Sequence, residues 1–572
     1  MKWFDLLIDS GREAYIPWRI LHGEHLGRDF IHPYGPFSAY FNAGLFAVFG
    51  VSLRTLAWAN LVLYAVITIL AFRLLRRGFG FAPAAAATAF GIAVFGFGHH
   101  LFAAAYTFAA PYSHEATHGM LLFLLLLAWL AQRPSRRLTR AIPGGCLIGV
   151  LWLTKTEYVF ASVLVLLVVL TLSGRTRADR RALGPWVAGL TIGGLAVFLT
   201  TGMALTWVTD APTALRTVTS GVLAPFYYPA YSNSAHVLRF LGADRPLENL
   251  QQLAGWGVGA GIVLGGLALA LRRVRSPIGA LALAGGAGLL LGYRAWETNG
   301  WQHFGWMLPT LLVGAITMQM RETFRSAKET TAEIPSRSWV RLILLVAAAG
   351  MLARMALAPK LHHYGFFQAY LAALVIVAFF VGAWPQRVAV DRPAQRALAW
   401  FSAIVALAVA ASAVRHSLWA YGLRTTPVGT GADQALAYRQ EFYPFTDPWE
   451  KARQLIVSST PPEARLLVIP EGLTLNYWTR RKHPLRIMDL LPATLRLNPG
   501  DVVAELQRDP PEMVVFITRD NMQELGYPAY GHDDDSGRPL VQWVQQHYTV
   551  VAQGGGSPFE PGQMGIQIWQ RK

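Results

Sequence analysis

The sequence predicts a polytopic α-helical membrane protein that ends in a soluble α/β domain, and three observations carry the prediction. Up to about Val414 the 572-residue chain repeats apolar runs of membrane-spanning length. Short arginine-rich clusters stand at the ends of those runs, which is the bias of cytoplasmic loops in multispanning proteins. Beyond Val414 the pattern changes to short β-rich runs alternating with helical spacing. These changes divide the chain into an outer loop with interfacial helices (1–53), a transmembrane part (54–413) and an outer α/β domain (414–572).

The first part, DSGREAYIPWRILHGEHLGRDFIHPYGPFSAYFNAGLFAVFG (9–50), is charged in its first half and broken by Gly35-Pro36. The proline favours a rigid turn into an amphipathic run, FSAYFNAGLFAVFG, that suits the membrane interface and borders a lipid-accessible groove.

Spans follow near 54–72, 82–98, 117–133, 184–204, 250–270, 278–292, 306–320, 341–357, 367–384 and 397–413. Between 143 and 172 basic clusters flank both ends, so an even number of crossings is required there. Two short segments meeting near Thr154–Thr156, or a re-entrant pair, satisfy this. Non-helical backbone at that depth survives only where protein or a cavity covers it. The sum is about twelve crossings with every arginine cluster inside. The outer face then collects His99, His100, His114, Glu115, His118, Arg294, Glu297, His303, His362 and His363. The chain begins outside with no preceding span. Either that end is translocated unaided or an initial helix is missing from this sequence, and the second account is favoured.

In the last part ARLLVIPEG (464–472) and EMVVFITRD (512–520) read as buried parallel strands, and 449–460, 501–509 and 539–548 as helices. YTVVAQGG and MGIQIWQRK are expected as edge strands. HDDDSG (532–537) lacks calcium-loop spacing and reads as a solvated turn.

The net charge of +17 suggests nucleic acid at first sight. Its placement at span ends excludes that partner in favour of membrane lipids. The single Cys146 lies in an apolar run, excludes an intramolecular disulfide and reads as packing. MKWFDLLI is too short for the apolar region of a signal peptide.

Five clusters suit chemistry. Asp9, Arg12, Glu13 and Arg19 open the outer loop, where a roofed carboxylate suits a general base and the arginines suit a phosphate or diphosphate. An interfacial loop of solvated ion pairs is the bland alternative. YSHEATHG (112–119) places His114 and His118 on one helical face with Glu115 adjoining, a literal HExxH. It reads either as a zinc protease signature or as a polar helix end. LTKTE (153–157) sets Lys155 and Glu157 at membrane depth, where charges are costly unless paired or functional. YRAWETNGWQHFGW (293–306) interleaves Arg294, Glu297 and His303 with tryptophans, of which the aromatic belt explains only the tryptophans. PKLHHYGFF (359–367) adds Lys360, His362 and His363 as a phosphate-facing cluster or as plain surface.

The order of these motifs resembles a known family. D-S-G-R-E, about 25 residues before Gly35-Pro36-Phe37 and Tyr40, followed by FG and a first span, is similar to the first outer loop of integral-membrane glycosyltransferases of the GT-C superfamily. The branch it resembles contains the protein O-mannosyltransferases and the lipid A aminoarabinose transferase, and LTKTE looks like that branch's L-T-K motif. The resemblance covers most of the membrane part. It implies a polyprenyl-phosphate-linked sugar donor, an extracytoplasmic lipid, glycan or protein acceptor, inversion at C1, and a place in the bacterial inner membrane with the site on the periplasmic face. On that analogy Asp9 activates the acceptor, with Glu115 as the other candidate acid and Glu13 as a partner. Arg12, Lys155, Arg294 and Lys360 would meet the lipid phosphate. Some relatives need a divalent metal (Mg or Mn) and others do not, so no cofactor is certain and the metal ligands are unknown. Two departures stand out: relatives carry a helix before the loop, and an aspartate-glutamate pair where this chain has D-S-G-R-E. A transporter or lipid flippase is the first rival, since it would account for Lys155 and Glu157 at depth. An intramembrane zinc protease using His114, Glu115 and His118 is the second. Oligomeric state, sugar and acceptor are not legible.

Overall fold

The computed structural model describes residues 1–7, 9–99, 106–134, 137–173, 177–227, 235–329, 335–495, 499–519, 528–560 and 562–572. His100 lies outside them. Nine helices, α1 (Asp9–Leu21), α2 (Phe37–Phe49), α3 (Leu53–Phe79), α4 (Phe81–Gly91), α5 (His114–Leu130), α6 (Leu138–Trp152), α7 (Thr156–Ser173), α8 (Arg177–Thr206) and α9 (Ala211–Tyr227), lead into six long or medium helices between Pro246 and Gly422 among the described residues.

Eight described helices are long and apolar enough to cross a membrane: Leu53–Phe79, Thr156–Ser173, Leu183–Thr206, Val237–Leu271, Pro277–Glu297, Ser336–Met355, His363–Val388 and Arg392–Gly422. Eight, rather than the expected twelve, meet that requirement. The other expected positions hold Phe81–Gly96, His114–Leu130, Leu138–Trp152 and Trp301–Glu329. The first three depart for local reasons. A π turn at Ile92–Gly96 interrupts the first, polar His-Glu begins the second, and a break in the helix ends the third.

That break separates α6 from α7 at Leu153–Lys155 and frees backbone carbonyls inside protein. The turn at Gly35-Pro36 supplies their partners: Gly35 N–H donates to Thr154 O (3.1 Å) and Phe37 N–H to Leu153 O (3.2 Å). Ser220 Oγ of α9 donates to Tyr34 O (2.8 Å), and Thr156 Oγ1 donates to Gly221 O (2.8 Å). Any Cβ on Gly35 would land on the Leu153 backbone, and one on Gly221 would come 2.6 Å from Trp152 O. Glycine is thus required where the loop meets the break.

The C-terminal domain holds a hairpin, β1 (Arg424–Val428) with β2 (Ala435–Tyr438), and a four-stranded sheet. The sheet order is β3 (Leu466–Ile469), β4 (Met513–Ile517), β6 (Gly565–Arg571), β5 (Tyr548–Gly555), with β3 and β4 parallel and the other pairs antiparallel. The last strand, expected at an edge, lies inside the sheet: its Ile566, Ile568 and Trp569 are buried and pair with both neighbours. The HDDDSG stretch forms a short 3₁₀ turn capped by Asp533, whose Oδ1 accepts the Ser536 N–H (2.7 Å).

Residues near the N-terminus do not stand apart from this domain. Phe4, Leu6, Leu7, Ala14, Tyr15 and Trp18 share one apolar core with Tyr438, Trp449, Tyr477 and Trp478. Met1 O accepts the Leu436 N–H of β2 (2.8 Å), and Arg424 Nη1 donates to Phe4 O (3.0 Å). Helix α1 then lies against Leu473–Thr479, so closely that a Cβ on Gly11 would overlap the Thr474 backbone. Packing on two sides explains why a helix of mixed polarity is buried along most of its length.

Candidate active site

Burial on both sides places the polar residues of α1 inside the protein. Asp9, 6% exposed, accepts the Tyr106 hydroxyl at Oδ2 (3.2 Å), and its N–H donates to Asp5 Oδ2 (2.7 Å). Arg12 Nη2 stands 3.6 Å from Asp9 Oδ1 and 3.5 Å from Glu13 Oε1. Glu13 Oε2 accepts the His114 backbone N–H (3.0 Å) and meets His114 Nδ1 (2.7 Å) at the N-terminus of α5. Lys155, at the α6–α7 break, donates to Ser113 Oγ (2.7 Å), the residue before His114. Its ammonium lies over the Tyr34 ring (4.4 Å) and the Phe367 ring (4.9 Å). Lys155 is 5% exposed and forms no salt bridge among the described residues. A run of contacts therefore joins Asp9 to the lysine of LTKTE through Arg12, Glu13 and the Ser113-His114 step.

The rest of the HExxH stretch is tied to the outer loop. Glu115 Oε1 hydrogen-bonds His32 Nε2 (3.0 Å), and His118 Nδ1 hydrogen-bonds Ser38 Oγ (2.9 Å) beneath the edges of Phe37 and Phe41. Among the described residues no three His, Cys, Asp or Glu side chains gather as a metal ion requires. As placed, His114, Glu115 and His118 are each bonded to a different partner (Glu13, His32 and Ser38) and do not converge as a zinc protease centre would require.

The remaining sequence-predicted residues divide. His363 packs against Tyr106 (4.5 Å between ring centroids), the partner of Asp9. Arg19 turns away to Glu24 and the Phe30 face, which makes it a structural contact. Glu157 pairs with Arg354 and accepts from Gln368 Nε2 (3.1 Å). Lys360 is exposed, and His362 packs on Trp301 (5.4 Å). Arg294 and His303 line a separate apolar cavity of about 460 Å³ with Trp256 stacked on His303 (5.2 Å), while Glu297 is exposed beside it. No contact joins those three to the Asp9 cluster among the described residues.

Sequence reasoning missed the contribution of the C-terminal domain. Glu471 and Arg519 pair at 2.7 Å, each two residues past the end of parallel strands β3 and β4. Both act electrostatically on the α1 site, Arg519 on Asp9, and Glu471 in turn feeling Asp9 and Arg12. A signal was present: side chains just beyond the carboxyl ends of adjacent parallel strands converge on one edge. PEG (470–472) and TRD (518–520) end the two strand-like runs at that place.

These surroundings set the protonation states. Burial pushes the Asp9 carboxyl up to about 6, with Arg12 opposing and Asp5 and Glu13 adding to the rise. Burial also acts against the Glu13 carboxylate, but the hydrogen bond and charge of His114, together with Arg12, outweigh it and hold Glu13 well below the usual range. Burial carries Glu471 up to about 7 against the pull of Arg519, and raises Asp489 nearby. Two neighbouring carboxyls on α1 thus differ: one stays ionised, the other titrates near neutrality. That is the arrangement of an acid–base site.

Alongside it runs an apolar groove of about 420 Å³ lined by Pro36, Phe37, Tyr40, Phe41, Leu153 and Leu205. It follows the α2 run and reaches the α6–α7 break two residues before Lys155.

No family model matches the chain, and no curated protein does. Among solved structures it is similar to ArnT from Cupriavidus metallidurans bound to undecaprenyl phosphate, at 13% identity over 99% of this chain and 94% of that chain, with a TM-score of 0.49. It is also similar to the oligosaccharyltransferase of Archaeoglobus fulgidus in complex with Zn and sulfate, at 15% identity over 98% of this chain and 69% of that one, with a TM-score of 0.48. The same enzyme tethered to an acceptor peptide containing the NVT sequon gives 14% identity over 98% and 71%, with a TM-score of 0.46. At such scores and identities nothing about activity follows from the likeness.

Proposed function

We propose that this chain is a membrane glycosyltransferase of the GT-C type, which moves a sugar from a polyprenyl-phosphate donor to an extracytoplasmic acceptor. The observation that carries the reading is Asp9: a buried carboxylate titrating near neutrality, joined through α1 and α5 to a buried lysine at a break in the membrane helices. A base matched to neutral pH and a cation that forms no salt bridge among the described residues are the two parts such a transfer requires.

In the proposed step the Asp9 carboxylate takes the proton of an acceptor hydroxyl or amine. The freed electron pair bonds to sugar C1 on the face opposite the phosphate. The C1–O bond to the lipid phosphate breaks, its electrons staying on the phosphate oxygen, and C1 inverts. Lys155 and Arg12 are the cations placed to neutralise that leaving group. Glu13 holds Arg12 and His114 rather than competing as base, because its low proton affinity keeps it ionised. The groove along Phe37, Tyr40, Phe41 and Leu205 suits the prenyl chain, since it is apolar and ends beside the break.

The test is Asp9→Asn in proteoliposomes supplied with radiolabelled polyprenyl-phosphate sugar. Removing a general base should lower transfer by roughly 10²–10⁴-fold, with the melting temperature largely kept. Transfer at the wild-type rate would remove Asp9 from the mechanism.

A further inference from the structure

On the outer side, between the 26–34 stretch, α9 and the C-terminal domain, lies a second cavity of about 360 Å³. Neither Asp9 nor Lys155 lines it. Its cations are Arg216 of α9 and Arg486 of the C-terminal domain, with His32, Tyr34, Ser220 and Tyr227 adding an imidazole and hydroxyls. No aspartate or glutamate lines it among the described residues. Arg216 forms no salt bridge among them, and Arg486 Nη2 donates to a neutral group, Gly27 O (2.5 Å). Carboxylates stand behind the lining rather than in it: Asp29 pairs with Arg28 (2.8 Å), Glu505 accepts the Arg486 backbone N–H (3.2 Å), Glu115 hydrogen-bonds His32, and Asp210 acts on Arg216. Two guanidinium side chains therefore line one concave space whose described lining holds no carboxylate.

The wall is built rather than incidental. Ile31 N–H donates to Arg486 O (2.9 Å), and Gly27 combines a left-handed φ of +82° with a position where any Cβ would strike Thr217 of α9. The same wall touches the catalytic cluster. His32 hydrogen-bonds Glu115 (3.0 Å), and the Tyr34 ring carries the Lys155 ammonium (4.4 Å).

We propose that this cavity binds an anionic sugar, one carrying a phosphate or carboxylate, and so selects an acidic acceptor. Paired guanidiniums offer forked donors that match either anion, and hydroxyls beside them match a sugar ring. The acceptor role rests on the glycosyltransferase reading, whereas anion binding stands independently of it.

The experiment is calorimetric titration of the purified full chain in discs of neutral lipid with glucose 6-phosphate, glucuronic acid, inorganic phosphate and glucose. The two acidic sugars should bind at least about tenfold tighter than glucose, and Arg216→Ala should cost about tenfold or more of that affinity. Arg216 is exposed and without an ion pair, so this variant leaves the fold intact; Arg486→Lys, which keeps the charge but loses the fork, should weaken binding less. Inorganic phosphate binding as tightly as glucose 6-phosphate would remove the sugar from the proposal. Glucose binding as tightly as its phosphate, or affinity unchanged in both variants, would overturn the anion site. Asp9→Asn separates the two readings: binding retained with transfer lost supports both, and binding retained with transfer unchanged leaves the anion site standing while the catalytic one falls.

Discussion

Two carboxyl groups four residues apart on α1 are parted by their environments. Asp9 accepts a tyrosine hydroxyl and lies among other acids; Glu13 accepts both a backbone N–H and an imidazole. The proposed base must be ionised to work, and burial first, then Asp5 and Glu13, raise its pKa to about 6. The rate constant kcat/KM should therefore climb with pH through about 6 and level off above it. Arg519→Gln removes a positive charge that favours the Asp9 carboxylate, so the acidic limb should move to higher pH in that variant. A pH–rate profile that does not move would sever the link between Asp9 and the C-terminal domain.

At the scale of elements, the site exists because three segments meet without side chains between them. Gly35 rests on the Leu153 backbone, Gly221 closes on the same break, and Gly11 rests on Thr474. A Gly35→Ala variant would set a methyl against backbone atoms that have no rotamer to yield. It should cost about 1–3 kcal/mol, seen as a lower melting temperature, and displace Lys155 and the Phe37 end of the groove, seen as slower transfer. An unchanged melting temperature would show that the loop does not dock on the break. The Gly-Pro and LTKTE motifs were both readable as special, the one as a turn and the other as costly charge. That the turn's N–H groups satisfy the break's carbonyls was not readable, because a hydrogen bond between residues 35 and 154 leaves no periodic trace. Arg19 and Glu157 show the converse. Residue type alone suggested ligands, while Glu24 and Arg354 take up their charges.

For the whole molecule, the proposed orientation puts the arginine clusters inside and the C-terminal domain outside. In a Cys146→Ala background, a cysteine at exposed Glu463 should react with a membrane-impermeant maleimide in intact cells. One at exposed Arg272 should react only after permeabilisation. The reverse pattern would invert the topology and move the site away from an extracytoplasmic acceptor. The domain is also more than an appendage. Its apolar core includes Phe4, Tyr15 and Trp18, and its strand ends bring Glu471 and Arg519 to α1.

The sequence by itself determined the apolar helices, the clustering of arginines at their ends, the interruption near Thr154, and the change to an α/β pattern after Val414. Each is written in the local order of residue types: hydropathy, charge and turn propensity act over a few positions and need no distant partner. Only the tertiary structure decided that α1 is wedged between the membrane helices and residues 473–479. It alone gave Asp9 and Glu13 different proton affinities, set Lys155 on Ser113 with no salt bridge among the described residues, and placed Arg216 and Arg486 around one cavity. Those properties come from burial and from contacts between residues hundreds of positions apart, and such energies belong to the assembled fold rather than to any stretch of the chain.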